Sequence, residues 1–211
     1  MNNKVIIIRF HYPVDDKRFE WRFGFFKTIV WPRILAQTNK EFDVAIRCNP
    51  AHEELFKSLP GGKTIITFQT KNDTPRYKVN GRKRYFHDFV PWSDVIGLPM
   101  YDIQIGLDSD DLISPNYVAK IQAVCKGNES LHVFFQPQLF RLKTLRIESM
   151  AEYSRERGSA FRALYQPDKS DYRFIDSVSH MILWTLAKKS VGYVDGECFA
   201  VAHDLNESTG K

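Results

Sequence analysis

The 211-residue sequence predicts an α/β fold with a mixed, mostly parallel central sheet flanked by helices, and three features point to it. Strand-like and helical patterns alternate as β-α-β-α-β over residues 4–69, the order that builds a parallel sheet with helices on its faces. The strand-like runs at 4–10 and 101–107 are continuously apolar, as in strands covered on both sides. The second run ends in a dense acidic loop, and open sheets of this kind take ligands beyond the carboxyl ends of their strands.

Residues 4–10 (KVIIIRF) give the first strand, and His11-Tyr12-Pro13 with the polar residues 14–17 give the loop after it. From 18 to 35 the spacing of Phe19, Phe23, Phe26 and Val30 predicts a helix, with Pro32 forcing a break or fresh start near Trp31. Residues 41–47 (EFDVAIR) alternate as a second strand, Asn49-Pro50 turns the chain, and 51–59 form a short helix ended by Pro60-Gly61-Gly62. Residues 64–69 (TIITFQ) are a third strand. The basic run 78–84 (KVNGRKR) contains Asn80-Gly81, which predicts a hairpin tip: a solvated loop, or a flap meeting phosphates.

After the strand at 101–107 and its acidic loop, Ser114 is expected as N-cap and Pro115 at the first position of a helix over 116–126. Residues 130–136 read as a strand, 140–147 (FRLKTLRI) as one strand alternating apolar with basic residues, and 153–158 as a polar turn or loop. A helix over 176–188 with Val178, Ile182 and Leu186 on one face precedes a last short strand at 197–202, and His203 follows it.

Composition narrows the class. At 43% hydrophobic residues, one core of this size suits a single domain over 1–211, whole or part of a larger protein. No run reaches the length of a membrane span or signal peptide. Cys48, Cys125 and Cys198 are widely spaced without a CxxC pair, so buried thiols in a reducing, cytoplasmic setting are expected rather than a disulfide framework or zinc site. A formal net charge of +5 and a pI near 9.0 suit an anionic partner.

The chemistry centres on Asp108-Ser109-Asp110-Asp111. Three carboxylates in four residues repel one another, and a hard divalent cation is a common way to hold them together. A DxD triplet at the end of a buried strand suits a nucleotide diphosphate bridged through Mg²⁺ or Mn²⁺. The same residues also read as a plain helix-capping loop. A calcium loop fits poorly because Leu112-Ile113 occupies its middle, and a two-metal nuclease needs further acids, for which only Asp176, Asp195 or Asp204 are available. The strand-end rule brings residues 10–13, 47–50 and 108–111 together. His203 is either a structural imidazole or a ligand completing a set with Asp110; His180 reads as core.

The segments IIIRF, the helix with Arg22 and Pro32 before Leu35-Ala36-Gln37-Thr38, FDVAI, IGLDSDDLISPNYV and the late VAHDLN together resemble GT-A glycosyltransferases of the rhamnosyltransferase type. They are also similar to the N-terminal domain of a chlorella-virus capsid-protein glycosyltransferase. The resemblance covers most of the chain. It implies a nucleotide-diphospho-sugar transferase fold, a Mn²⁺ or Mg²⁺ cofactor, a UDP-sugar or related donor carrying rhamnose or another hexose, and a glycan or glycoprotein acceptor. For a viral chain it implies the host cytoplasm. By the same resemblance Asp108 and Asp110 hold the metal with His203; Asp108, Ser109 and Asp110 also meet the donor, and Asp111 is a catalytic candidate that steadies the loop or sugar hydroxyls. Asp176 is the nearest match to the base, and Arg9, His11, Arg47 and Asn49 lie where the nucleotide is held. Gly106 stands where the cellular relatives carry an Arg. The stretch 140–165 is where an acceptor is expected, with Tyr153, Phe161 and Tyr165 offered for stacking and Phe161 better read as core. A polyanion-binding module built on residues 82–84 and 141–146, or a metal-dependent phosphohydrolase, are the competing readings.

Overall fold

A computed structural model describes residues 3–10, 18–70, 78–79, 82–83, 92–149, 161–170, 172–175, 187–193 and 198–202. The N-terminal part is β1 (Lys4–Phe10), α1 (Arg18–Phe25), a π-helical turn (Phe26–Val30), α2 (Trp31–Leu35), β2 (Asp43–Cys48), a 3₁₀ turn (Pro50–His52), α3 (Glu53–Lys57) and β3 (Ile65–Thr70). There follow β4 (Lys78–Val79), β5 (Arg82–Lys83), β6 (Val95–Ile96), β7 (Ile103–Asp108), β8 (Leu112–Ile113) and α4 (Tyr117–Val124). The remaining strands are β9 (Leu131–Phe135), β10 (Gln138–Arg141), β11 (Arg146–Ser149), β12 (Arg162–Tyr165), β13 (Lys189–Tyr193) and β14 (Cys198–Ala202).

Among the described residues the main sheet runs β13-β9-β12-β7-β1-β2-β3-β6, and a second sheet runs β11-β10-β14-β8. The block β7-β1-β2-β3 is parallel, β13 is parallel to β9, and β12 is antiparallel to both its neighbours, which gives the expected mixed, mostly parallel sheet. Strand β1 alternates into two cores. Ile6, Ile8 and Phe10 face the helices, and Val5 and Ile7 face Ala45, Phe68, Leu164 and Ile175. Phe10 is ringed edge-on by Phe19, Phe23, Phe26 and Phe56 at centroid distances of 5.0–6.4 Å, which anchors α1 and α3 to the end of β1.

The break at Pro32 takes a specific form. Proline has no N–H to donate and its ring crowds the preceding turn, and here the chain widens into a π turn in which the Trp31 N–H donates to Phe26 O before α2 begins. Strands β4 and β5 pair antiparallel with Val79 opposite Arg82, while Asn80 and Gly81, the residues of the expected turn, lie outside the described residues.

Three expectations need correction. Residues 140–147 are not one strand: β10 and β11 form a hairpin, and Leu145 supplies the positive φ of 53° that reverses the chain. Ser114 does not cap α4; Asn116 occupies that position, and the Ser114 hydroxyl accepts from the Asn116 N–H at 3.3 Å. Tyr165 offers no ring to a sugar, being buried with its hydroxyl donated to Gly127 O at 2.7 Å. Phe161 is fully buried, in keeping with its core reading. Tyr153, His180 and most of the helix expected over 176–188 lie outside the described residues. The three cysteines are buried and form no disulfide, and no helix among the described residues is long and apolar enough to cross a membrane.

Candidate active site

Parallel register builds the site. Arg9 on β1 pairs with Arg47 on β2 and with Asp108 on β7, so three charged residues form a row across the carboxyl edge of the sheet. Within that row Arg9 Nη2 donates to Asp108 Oδ1 at 3.0 Å, and buried Arg47 donates from Nη2 to Thr70 Oγ1 at 2.7 Å. Asn49, at the end of β2, caps the 3₁₀ turn by accepting from the Ala51 N–H.

The chain turns at Ser109 and Asp110, both buried, and re-enters a strand at Leu112. Asp110 Oδ2 lies 3.1 Å from Arg22 Nη1, in an ion pair with both side chains largely shielded from water. Asp111 accepts from the Val201 N–H at 3.3 Å, which draws β14 against the loop. The counter-charge for the crowded carboxylates thus comes, within the described residues, from arginines on two neighbouring elements.

A third guanidinium lies beneath them. Arg162 on β12 sits opposite Gly106 on β7 and is 2% exposed. A Cβ at residue 106 would meet Arg162 Nε at 3.4 Å and Cγ at 3.5 Å, so the glycine leaves the space across which the arginine stem lies.

The charges divide the acids into two kinds. Burial pushes the Asp108 carboxyl up, but Arg9, Arg162 and Arg22 outweigh it and hold the group below the usual carboxylate range. Asp111 moves well above that range, driven by burial and then by the Asp110 and Asp108 charges, with the Val201 N–H opposing. The two carboxyls of one loop are therefore shifted in opposite directions, Asp108 by its arginines and Asp111 by burial and its acidic neighbours.

The structure brings together Arg9, Arg47, Asn49, Asp108, Ser109, Asp110 and Asp111 along one edge. His11, Asp176 and His203 lie outside the described residues. The described residues contain no group of three or more His, Cys, Asp or Glu side chains gathered for a metal ion. The donor set present is nonetheless all oxygen, the chemistry Mg²⁺ and Mn²⁺ prefer, so Asp108 and Asp110 fit as part of such a site. Sequence reasoning missed Arg22 and Arg162 as partners of the loop. Arg162 stands inside the otherwise apolar FRALY, and that anomaly was the available signal for it, whereas Arg22 shares its helix with Arg18 and Glu20 and gave none.

The comparisons agree with this architecture. The fold matches Staphylococcus aureus TarS residues 1–349 in complex with UDP-GlcNAc, with a TM-score of 0.60 at 11% identity over 100% of this chain and 61% of that fragment. It also matches the same fragment in complex with UDP, with a TM-score of 0.56 at 12% identity over 96% of this chain and 61% of that one. The chain thus spans about three fifths of the length of these structures. No curated protein matches it in sequence. The sequence model of the family described as "Putative rhamnosyl transferase" matches residues 4–211, so the chain belongs to that glycosyltransferase family and carries its GT-A fold.

Proposed function

We propose that the chain is a metal-dependent glycosyltransferase that moves a sugar, rhamnose or another hexose, from a nucleotide diphosphate donor to a glycan hydroxyl. The observation that carries the reading is the row Asp108–Arg9–Arg47 with the Asp110–Arg22 pair beside it, at the edge where an open α/β sheet takes its ligand. TarS, which shares the fold, has been solved with UDP-GlcNAc and with UDP, which supports a UDP-sugar as donor here.

Asp108, Asp110 and His203 are the residues that would hold Mn²⁺ or Mg²⁺. When bound, the cation supplies Lewis-acid charge to phosphate oxygens of the departing diphosphate. Arg9 and Arg47 are the residues that would hold the nucleotide's anionic groups. Asp111, held against β14 by the Val201 N–H, would steady the loop or meet the sugar hydroxyls. Asp176 is the residue assigned to take the acceptor proton if the reaction inverts. Positioning and fixed charge carry most of the rate in such a scheme.

Calorimetry tests it directly. UDP or GDP is expected to bind in the presence of Mn²⁺ and to lose most of that affinity in EDTA. Equal binding in both conditions overturns the metal assignment, and no nucleotide binding in either overturns the transferase reading.

A further inference from the structure

Alternation along the strands gives the main sheet two faces, and the candidate site belongs to one of them. Ile105 and Leu107 on β7, Ala163 on β12, and Val133 and Phe135 on β9 pack into the core beneath the helices. Gly106, Asp108, Arg162 and Phe134 therefore face the other way, as Arg9 does on β1. Register lines up Gly106, Arg162, Phe134 and Gly192 across four neighbouring strands, β7, β12, β9 and β13.

Phe134 lies across the strand beside it. A Cβ at residue 192 would meet Phe134 Cζ at 2.5 Å, Cε2 at 2.7 Å and Cε1 at 3.2 Å, so the ring occupies a space that glycine alone leaves. On its flank it stacks with His132, ring centroids 5.6 Å apart and planes 29° apart. With glycine beneath it and His132 beside it, the residue is still 37% exposed. Trp21, the other exposed Phe or Trp among the described residues, is on α1, which packs through Phe19 on the opposite face. Phe161 and Tyr165, the rings expected to meet an acceptor, are buried.

The strand order β9-β12-β7-β1-β2 assigns this ring a side. Arg9 and Arg47, proposed for the nucleotide, lie on one side of Asp108, and Phe134 lies on the other, two ladders or roughly 10 Å from β7. Both β7 and β9 are antiparallel to β12, so they run the same way, and Phe134 stands one residue before the end of β9 at the edge that carries the acidic loop. A phenyl ring offers no hydrogen bond to a hydroxyl or an ion. It favours a flat apolar partner, and a pyranose whose axial hydrogens share one face presents one.

We infer that Phe134 is the stacking platform for the acceptor's sugar ring, and that this sugar is a pyranose with its axial hydrogens on one face, as in β-configured glucose, galactose or xylose. This rests on the transferase reading above and adds a specificity-determining residue on its acceptor side. Gly192 positions the ring by leaving room for it.

Saturation-transfer NMR on the full chain with UDP and Mn²⁺ reads the contact, with methyl β-D-glucopyranoside, methyl β-D-galactopyranoside and methyl β-D-xylopyranoside as probes. At least one is expected to receive saturation, strongest at the axial hydrogens of its apolar face. Phe134→Leu keeps an apolar side chain over Gly192 but removes the ring, and should weaken that contact about three- to tenfold, whereas Phe134→Trp should keep it. Both variants should hold Mn²⁺-dependent UDP affinity within about twofold. Absence of saturation with all three probes in the wild type, or an undiminished signal in Phe134→Leu, overturns the platform. Loss of UDP affinity in Phe134→Leu also overturns it, because the ring then serves the donor. A wild-type dimer that Phe134→Leu dissociates, with no saccharide contact, overturns it in favour of an interface between copies. Failure of UDP to bind the wild type removes the transferase reading, and the saccharide signal of wild type against Phe134→Leu still decides the ring.

Discussion

The parallel block β7-β1-β2-β3 and the small sheet β8-β14-β10-β11 are built on opposite terms. In the first, β1 has Val5, Ile6, Ile7, Ile8 and Phe10 at 0–1% exposure, both faces are covered, and charge is confined to the strand ends. In the second, β10 and β11 expose Arg141, Arg146 and Ile147, with Ile147 57% exposed. The difference teaches that one region fixes geometry while the other carries its charge on an exposed surface. Burial on both faces leaves little room for substitution near the carboxyl edge of the sheet, whereas a half-exposed hairpin can change its surface charges at small cost in stability.

The sharpest break comes from the loop between the two regions. Asp110→Ala should lower transferase turnover on the order of 10³-fold if Asp110 holds the metal as proposed. It also removes a shielded ion-pair partner of Arg22, so denaturant unfolding should show a loss of about 3 kcal/mol, partly recovered in Asp110→Asn. Full activity in both variants would remove Asp110 from the site. Phe10→Ala tests the parallel block itself. Emptying a ring position surrounded by four others should cost about 3–5 kcal/mol in a denaturant titration, while Ile147→Ala on the hairpin should stay within about 0.5 kcal/mol. Equal losses would erase the contrast.

A smaller effect is expected where α2 is joined to the acidic segment. Buried Gln37 donates to Ser114 O at 2.6 Å and to Arg33 O at 3.2 Å, and accepts from the Val118 N–H at 3.0 Å. Gln37→Ala leaves those backbone groups buried without their partner and should cost about 2–3 kcal/mol by the same titration. The smallest effect is a pH dependence on the far side of the main sheet. Burial, with the Arg162 charge, pushes the His132 imidazole from 6.5 to about 4. The folded protein therefore keeps His132 neutral while the unfolded chain protonates it below about pH 6.5. Its contribution is complete above that pH and declines as pH falls towards 4. After allowance for solvent, unfolding at pH 4.5 against pH 7 should show a loss of about 2 kcal/mol that His132→Gln removes.

How much of this was legible follows the same division. Strand β1 lies where its residues predict, because a continuous β-branched run has few other homes. The acidic loop and its neighbours at the ends of β1 and β2 were placed by the topology rule alone. The hairpin was misread as one strand because residues 142–145 carry no Gly, Asn, Asp or Pro to mark a turn, and Leu145 takes the left-handed conformation despite its Cβ. Strand β13 was hidden at the tail of a helical pattern and β12 was too short to show a period. Arg22 and Arg162 escaped because ion pairs between distant segments leave no trace in local spacing.

The buried thiols have a use of their own. Cys48 ends β2, Cys125 follows α4 and Cys198 begins β14, one in each part of the molecule. Burial holds the first two out of reach of reagents and raises them to about 11 and about 12, so neither is a thiolate at neutral pH. Alkylation must wait for each neighbourhood to open, so pulsed labelling read by mass spectrometry would clock the breathing of three regions in one experiment, without any introduced probe.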